Sequence, residues 1–179
     1  MSVLLITGPP GSGKTTALRR AAERMRDRRL GGFYTEEMRR RGERRGFRAV
    51  TFDGQTWDLA RVDRPGPPRV GRYGVDLGVM DTLARGLAPD PAVDAWLVDE
   101  IGKMECLSPA FVDAIRALLE SSTPVVATVA QRGAGLIAEV KQRPDAELWT
   151  VVRATREALP AQIVDWVRAK DARRRSGER

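Results

Sequence analysis

The chain of 179 residues is 42% hydrophobic and 31% charged, enough apolar material to bury a core of its own within the usual length of one domain. Its 31 basic and 24 acidic residues give a net charge of +7, which favours solubility and also suits an anionic partner. There is no histidine and only one cysteine, Cys106. Histidine bases, serine–histidine triads, disulfide frameworks and multi-thiolate metal sites are therefore excluded, and acid–base chemistry falls to carboxylates, lysine, tyrosine or that thiol.

From the amino terminus, "SVLLIT" predicts a buried strand that runs into the glycine loop "GPPGSGKTT", and Lys14 to Arg28 carries apolar residues at helical spacing. Two strand-like segments, Phe33 to Arg39 and Gly46 to Phe52, flank a charged turn at Arg41 to Arg44 and predict a β-hairpin with a wet, mobile tip. The proline- and glycine-rich "RVDRPGPPRVGRYG" reads as a surface connection, and "VDLGVMDTLARGLA" as a helix. "VDAWLVDE" is a short buried strand ending in two acids. "SPAFVDAIRALLESS" is a helix with Ser108 as its N-cap and Pro109 at its first position. A strand "TPVVATVA", a short helix "GLIAEVKQR", a last strand "ELWTVV" and a closing helix "PAQIVDWVRAK" complete the chain.

Strands alternating with helices predict an α/β fold, a mostly parallel sheet between helices with a β-hairpin insertion. One domain is expected over residues 1–170, followed by a basic carboxy-terminal tail over 171–179. No secretory leader or apolar run near the roughly 20 residues needed to span a bilayer is evident, so a cytoplasmic protein with no membrane partner is expected. Cys106 reads as a small buried hydrophobe. The basic clusters "MRRRGERRGFR" and "RAKDARRRSGER" lack interleaved aromatics, which favours a solvated basic face over a nucleic-acid partner.

Gly8, Pro9, Pro10, Gly11, Ser12, Gly13, Lys14 and Thr15 match G-x-x-x-x-G-K-[ST] in full, between a strand and a helix, with Thr16 following. Such a loop turns successive backbone N–H groups towards phosphate oxygens and adds the positive end of the next helix. Lys14 is expected to reach the β- and γ-phosphates, and Thr15 to ligate Mg²⁺. Asp99, ending an apolar strand, is the expected second holder of the Mg²⁺ shell, and Glu100 the group that orients and deprotonates an attacking water. Lys103 and Glu105 face either the γ-phosphate or each other as a local ion pair. Arg132 and Arg156, after two later strands, are candidates for charge stabilisation.

The segments "GPPGSGKTT", "GGFYTEE", "GFRAVTFDG", "VGRYGVDL", "DEIGKME" and "RPDAEL", in this order, resemble the thermostable, or cancer-related, nucleoside-triphosphatase family of P-loop proteins. The resemblance implies a RecA-like fold and a slow, Mg²⁺-dependent hydrolysis of nucleoside triphosphates (ATP, GTP, CTP, UTP) to diphosphate and phosphate, with little choice of base. It also implies that Leu97, Val98, Asp99, Glu100, Ile101, Gly102, Lys103 and Met104 line the nucleotide together with the phosphate loop. Cys106 stands where the family pattern has leucine, and Thr155-Arg156 where it has an asparagine-arginine pair.

Three rivals share the phosphate loop. A nucleoside or small-molecule kinase needs an acceptor site and a lid, and only the hairpin from Phe33 to Gly54 could supply one. A GTP switch would need the guanine-reading Asn-Lys-x-Asp motif, and the chain has no asparagine. A nucleic-acid-stimulated ATPase would draw on the net positive charge.

Overall fold

The computed structural model describes residues 2–177, so Glu178 and Arg179 of the expected basic tail lie outside the described residues. Nine strands among the described residues form one sheet: β1 (Val3–Thr7), β2 (Leu30–Arg40), β3 (Glu43–Thr51), β4 (Thr56–Arg61), β5 (Arg69–Val70), β6 (Tyr73–Val75), β7 (Ala95–Ile101), β8 (Val125–Val129) and β9 (Ala146–Thr150). Their order across the sheet is β5-β6-β4-β3-β2-β7-β8-β1-β9. Strands β2, β7, β8, β1 and β9 pair in parallel, while β3, β4, β6 and β5 extend the sheet antiparallel from β2. The α/β layering with its parallel core and hairpin is the one expected.

Among the described residues five α-helices cover the sheet: α1 (Lys14–Glu23), α2 (Leu77–Arg85), α3 (Pro109–Leu119), α4 (Leu136–Lys141) and α5 (Leu159–Ser176). Successive strand residues point to opposite faces, and the core divides accordingly. Val3 and Leu5 of β1 join Trp96 and Val98 of β7 under α2, α3 and α4. Leu4, Ile6, Ala95 and Leu97 join Leu18, Ile163 and Val167 of α1 and α5 on the other face. Ser108 Oγ accepts the Phe111 N–H at 3.1 Å, the N-cap expected for α3, with Pro109 at the first helical position.

Several elements differ from expectation. Helix α1 stops at Glu23, and the chain turns through Met25, fully buried, before entering β2. The hairpin strands run on to Arg40 and Glu43, so the tip is only Arg41-Gly42. Both have positive φ, 51° and 83°, as a tight two-residue hairpin turn requires. The segment read as a surface connection contains β5 and β6, and β4 before it was not foreseen. Helix α5 continues through the basic run to Ser176, because Asp171, 1% exposed, gathers Arg28, Arg174 and Arg175. No helix among the described residues is long and apolar enough to cross a membrane.

Candidate functional site

The phosphate loop connects β1 to α1 at the carboxyl end of the parallel strands, where ligands of open α/β sheets collect. Gly11 and Gly13 hold φ of 75° and 101°, conformations that a side chain would oppose. Gly8 and Ser12 are buried, whereas Pro9, Pro10, Gly11 and Thr16 are exposed on the loop's outer rim and Gly13, Lys14 and Thr15 are half-buried. Ser12 Oγ is buried without a hydrogen-bond partner, an unsatisfied hydroxyl inside the loop. Lys14 Nζ donates to the Gly8 carbonyl at 3.0 Å and to the Pro9 carbonyl at 3.5 Å, which places the ammonium across the loop mouth with one donor to spare.

Strand β8 lies between β1 and β7, and β2 flanks β7 on the other side. Register then determines what surrounds the first acid. Val98 pairs with Ala127 and with Phe33, so Thr128, one residue beyond Ala127, and Thr35, two residues beyond Phe33, approach Asp99 from both neighbours. Asp99 is fully buried. Its Oδ1 accepts from Thr128 Oγ1 at 2.6 Å, and its Oδ2 accepts from Thr15 Oγ1 at 2.8 Å and Thr35 Oγ1 at 2.9 Å. The Thr35 N–H adds a fourth donor at 3.2 Å. Thr15 and Asp99, the two residues expected to hold a metal, are thus in direct contact.

Glu100 follows across a cis peptide bond and lines the cleft above the loop. Burial, with the Asp99 charge beside it, raises its carboxyl above the ordinary range, and Lys14 opposes the shift. Glu105, in a 3₁₀ turn at Glu105–Leu107, is buried, and its carboxyl is pushed up to about 8, chiefly by burial, with Glu100 and Asp99 adding to the effect. Lys103 is exposed and forms no ion pair with Glu105, so of the two alternatives left open by the sequence the local ion pair does not form. Half-buried Cys106 packs against the core, and burial raises its thiol to about 11, which removes it from nucleophilic chemistry near neutrality.

The cleft over the loop encloses ≈ 620 Å³. The hairpin supplies its far wall through Thr35, Glu36, Glu37, Arg44 and Phe47. Arg19 of α1 reaches across to Glu36 at 3.6 Å, and its guanidinium lies 4.9 Å from the centre of the Tyr34 ring. The side chains of Leu97, Val98 and Ile101 are in the two cores and support the strand. Gly102 is buried between the two glutamates, where an added Cβ would lie 2.8 Å from Glu105 Oε2 and 3.3 Å from Glu100 Oε1. Lys103, Met104 and Arg132 face a second, smaller space beside the cleft. Arg156 packs over Gly13, within 3.8 Å of where a Cβ would stand, and pairs with Glu157 at 3.2 Å.

Sequence reasoning missed Thr35 and Thr128. The available signal was a lone threonine in each of two otherwise apolar or motif-bearing strands, "GGFYTEE" and "VVATVA", which the parallel register carries to the acid.

A protein-family model described as NTPase matches residues 3–164. The chain belongs to this NTPase family. It is a nucleoside-triphosphatase by membership, and the P-loop, the acid-bearing strand and the hairpin all fall within the matched span. Nucleoside-triphosphatase THEP1 of Thermotoga sp. (strain RQ2) is 38% identical over 163 residues, covering 90% of this chain and 92% of that protein. The cancer-related nucleoside-triphosphatase homolog of Mus musculus is 38% identical over 180 residues, covering 90% of this chain and 94% of that protein. The solution structure of a human cancer-related nucleoside triphosphatase superimposes with a TM-score of 0.80 at 34% identity, covering 94% of this chain and 98% of that one. The resemblance expected from the motifs is therefore borne out along nearly the whole NTPase chain.

Proposed function

We propose that this NTPase cleaves the γ-phosphate from nucleoside triphosphates in a Mg²⁺-dependent hydrolysis with broad tolerance of the base. The observation that carries the reading is the contact of Thr15 with Asp99 at the mouth of the phosphate loop, with Glu100 bordering the same cleft. Thr15 and Asp99 suit Mg²⁺ because both offer hard oxygens. No group of three or more acids, histidines or cysteines among the described residues is placed to hold a metal ion by itself, as fits an ion that takes its remaining ligands from phosphate and water. When bound, Mg²⁺ would neutralise charge developing on the β- and γ-oxygens.

The chain's own groups do the rest. Backbone N–H groups of Gly11, Gly13 and Lys14 and the unpaired Ser12 hydroxyl bind phosphate oxygens, Pro9 and Pro10 having no N–H to offer, and the first turn of α1 adds its dipole. Lys14 exchanges its loop carbonyls for the β- and γ-oxygens. Glu100 accepts a proton from the attacking water, and its raised proton affinity makes it a better base than an exposed glutamate. Recognition concentrated on phosphate and metal leaves the base little to contact.

The test is phosphate release from ATP, GTP, CTP and UTP, with and without Mg²⁺. Comparable rates that vanish without the ion are expected. A preference beyond about 100-fold, or roughly 2.7 kcal/mol of differential transition-state binding, would overturn the claim of breadth.

A further inference from the structure

Beside the phosphate cleft is a compartment of ≈ 270 Å³ that shares three wall residues with it, Thr35, Phe47 and Glu100. Glu100 thus borders both spaces. The body of the compartment is apolar, formed by Phe47 with Leu59 of β4, Val70 of β5 and Met104. Lys103 and Arg132, both exposed and held in no ion pair among the described residues, border it together with Thr35, Glu100 and Glu105, whose carboxyl burial pushes up to about 8 so that it is protonated near neutrality. Apolar walls beside two unpaired cations fit a small organic anion. The volume lies just below the roughly 300–1,000 Å³ common for ligand pockets, which points to a molecule smaller than a nucleoside.

We propose that this compartment is an acceptor subsite for a small anionic alcohol, which takes the γ-phosphoryl group in place of water. The proposal rests on the assignment of the phosphate loop and Glu100 made above. The anion lies on Lys103 and Arg132, the carbon body lies against Phe47, Leu59, Val70 and Met104, and the hydroxyl is presented at Glu100. As the hydroxyl oxygen bonds to the γ-phosphorus, its proton passes to the Glu100 carboxylate. The bond from the γ-phosphorus to the bridging oxygen breaks, and the nucleoside diphosphate leaves with the electron pair. The products are a phosphomonoester and a nucleoside diphosphate, with no other reactant needed. Strands β4 and β5, the part of the antiparallel extension least expected from the sequence, exist in this reading to wall the acceptor.

The experiment incubates the full chain with Mg²⁺ and ATP labelled in the γ-phosphate, with glycolate, D-glycerate or 3-hydroxybutyrate in large excess, and glycerol as the uncharged comparison. A labelled phosphomonoester is expected with at least one of the hydroxy acids and in lower yield with glycerol. Val70→Trp, which fills the compartment from its edge, should lower that yield about tenfold while phosphate release from ATP alone changes less than about twofold. Val70→Phe, a smaller change at the same half-buried position, serves if the tryptophan variant does not fold. Inorganic phosphate as the only labelled product with every probe overturns the proposal, as does slowed hydrolysis without phosphomonoester. A yield indifferent to filling the compartment overturns it too. Failure of the underlying hydrolase reading is distinct, because ATP alone would then release no phosphate.

Discussion

Four neutral donors hold Asp99, and among the described residues no lysine or arginine pairs with it. A buried carboxylate satisfied in hydrogen bonds but lacking a counter-charge is suited to receive a cation. Asp99→Asn should therefore act through the ion, lowering activity in a way that added Mg²⁺ partly restores in a titration of rate against metal. Glu100→Gln should instead leave nucleotide affinity near wild type and lower kcat by about 100-fold or more, the scale of losing a positioned base. Normal hydrolysis in that variant would move the base to another carboxylate.

Glu105 supplies a third residue-scale test. Its folded proton affinity, about 8 against an ordinary 4.5, means that the folded chain keeps a proton the unfolded chain releases. Below the ordinary range both states are protonated; between it and about 8 raising the pH favours the unfolded state, so stability falls with pH in that window. Glu105→Gln should flatten this slope in urea unfolding followed from about pH 5 to about pH 9. An unchanged slope would mean that another group carries it. Asp99 and Glu100 were legible in sequence because a strand ending in two acids is a local pattern. Thr35 and Thr128 were not, because they reach Asp99 only through the register of three strands that are distant in sequence.

At the scale of elements, the pairing of β2 with β7 sets the site, since it brings the hairpin wall to the acid-bearing strand. Gly32 permits that pairing. Its φ is 99°, and an added Cβ would stand 2.0 Å from the Leu97 carbonyl oxygen, a clash with backbone that no rotamer relieves. Gly32→Ala should cost about 3 kcal/mol or more, or abolish folding, as read by denaturant midpoint. Gly42→Ala at the exposed turn meets no atom within 4 Å and should cost less. The parallel strands were readable because each is a short apolar run between turn signals. Strands β4 to β6 were not: β5 has two residues, β6 has three, and prolines and glycines between them carry loop signals while the backbone still pairs. Helix α5 was underestimated for a similar reason, because its last two turns depend on Asp171 capturing arginines, one of them from the segment after α1.

For the molecule as a whole, the net charge of +7 overstates how much free positive surface it presents. Many of its arginines are held by acids. Arg39 and Arg44 share Glu37, Arg48 and Arg61 share Asp58, and Arg28, Arg174 and Arg175 share Asp171. The two clusters that looked most like nucleic-acid contacts in sequence, at the hairpin and in the closing helix, are therefore partly neutralised where they stand. Paired guanidiniums release fewer counterions from a polyanion than free ones, and counterion release supplies most non-specific affinity for nucleic acid. Single-stranded DNA or RNA should consequently change the rate of ATP hydrolysis by no more than about twofold at physiological salt. Stimulation of tenfold or more that collapses as salt is raised would show that these arginines exchange their acids for phosphates, and that a nucleic acid is a partner of this NTPase.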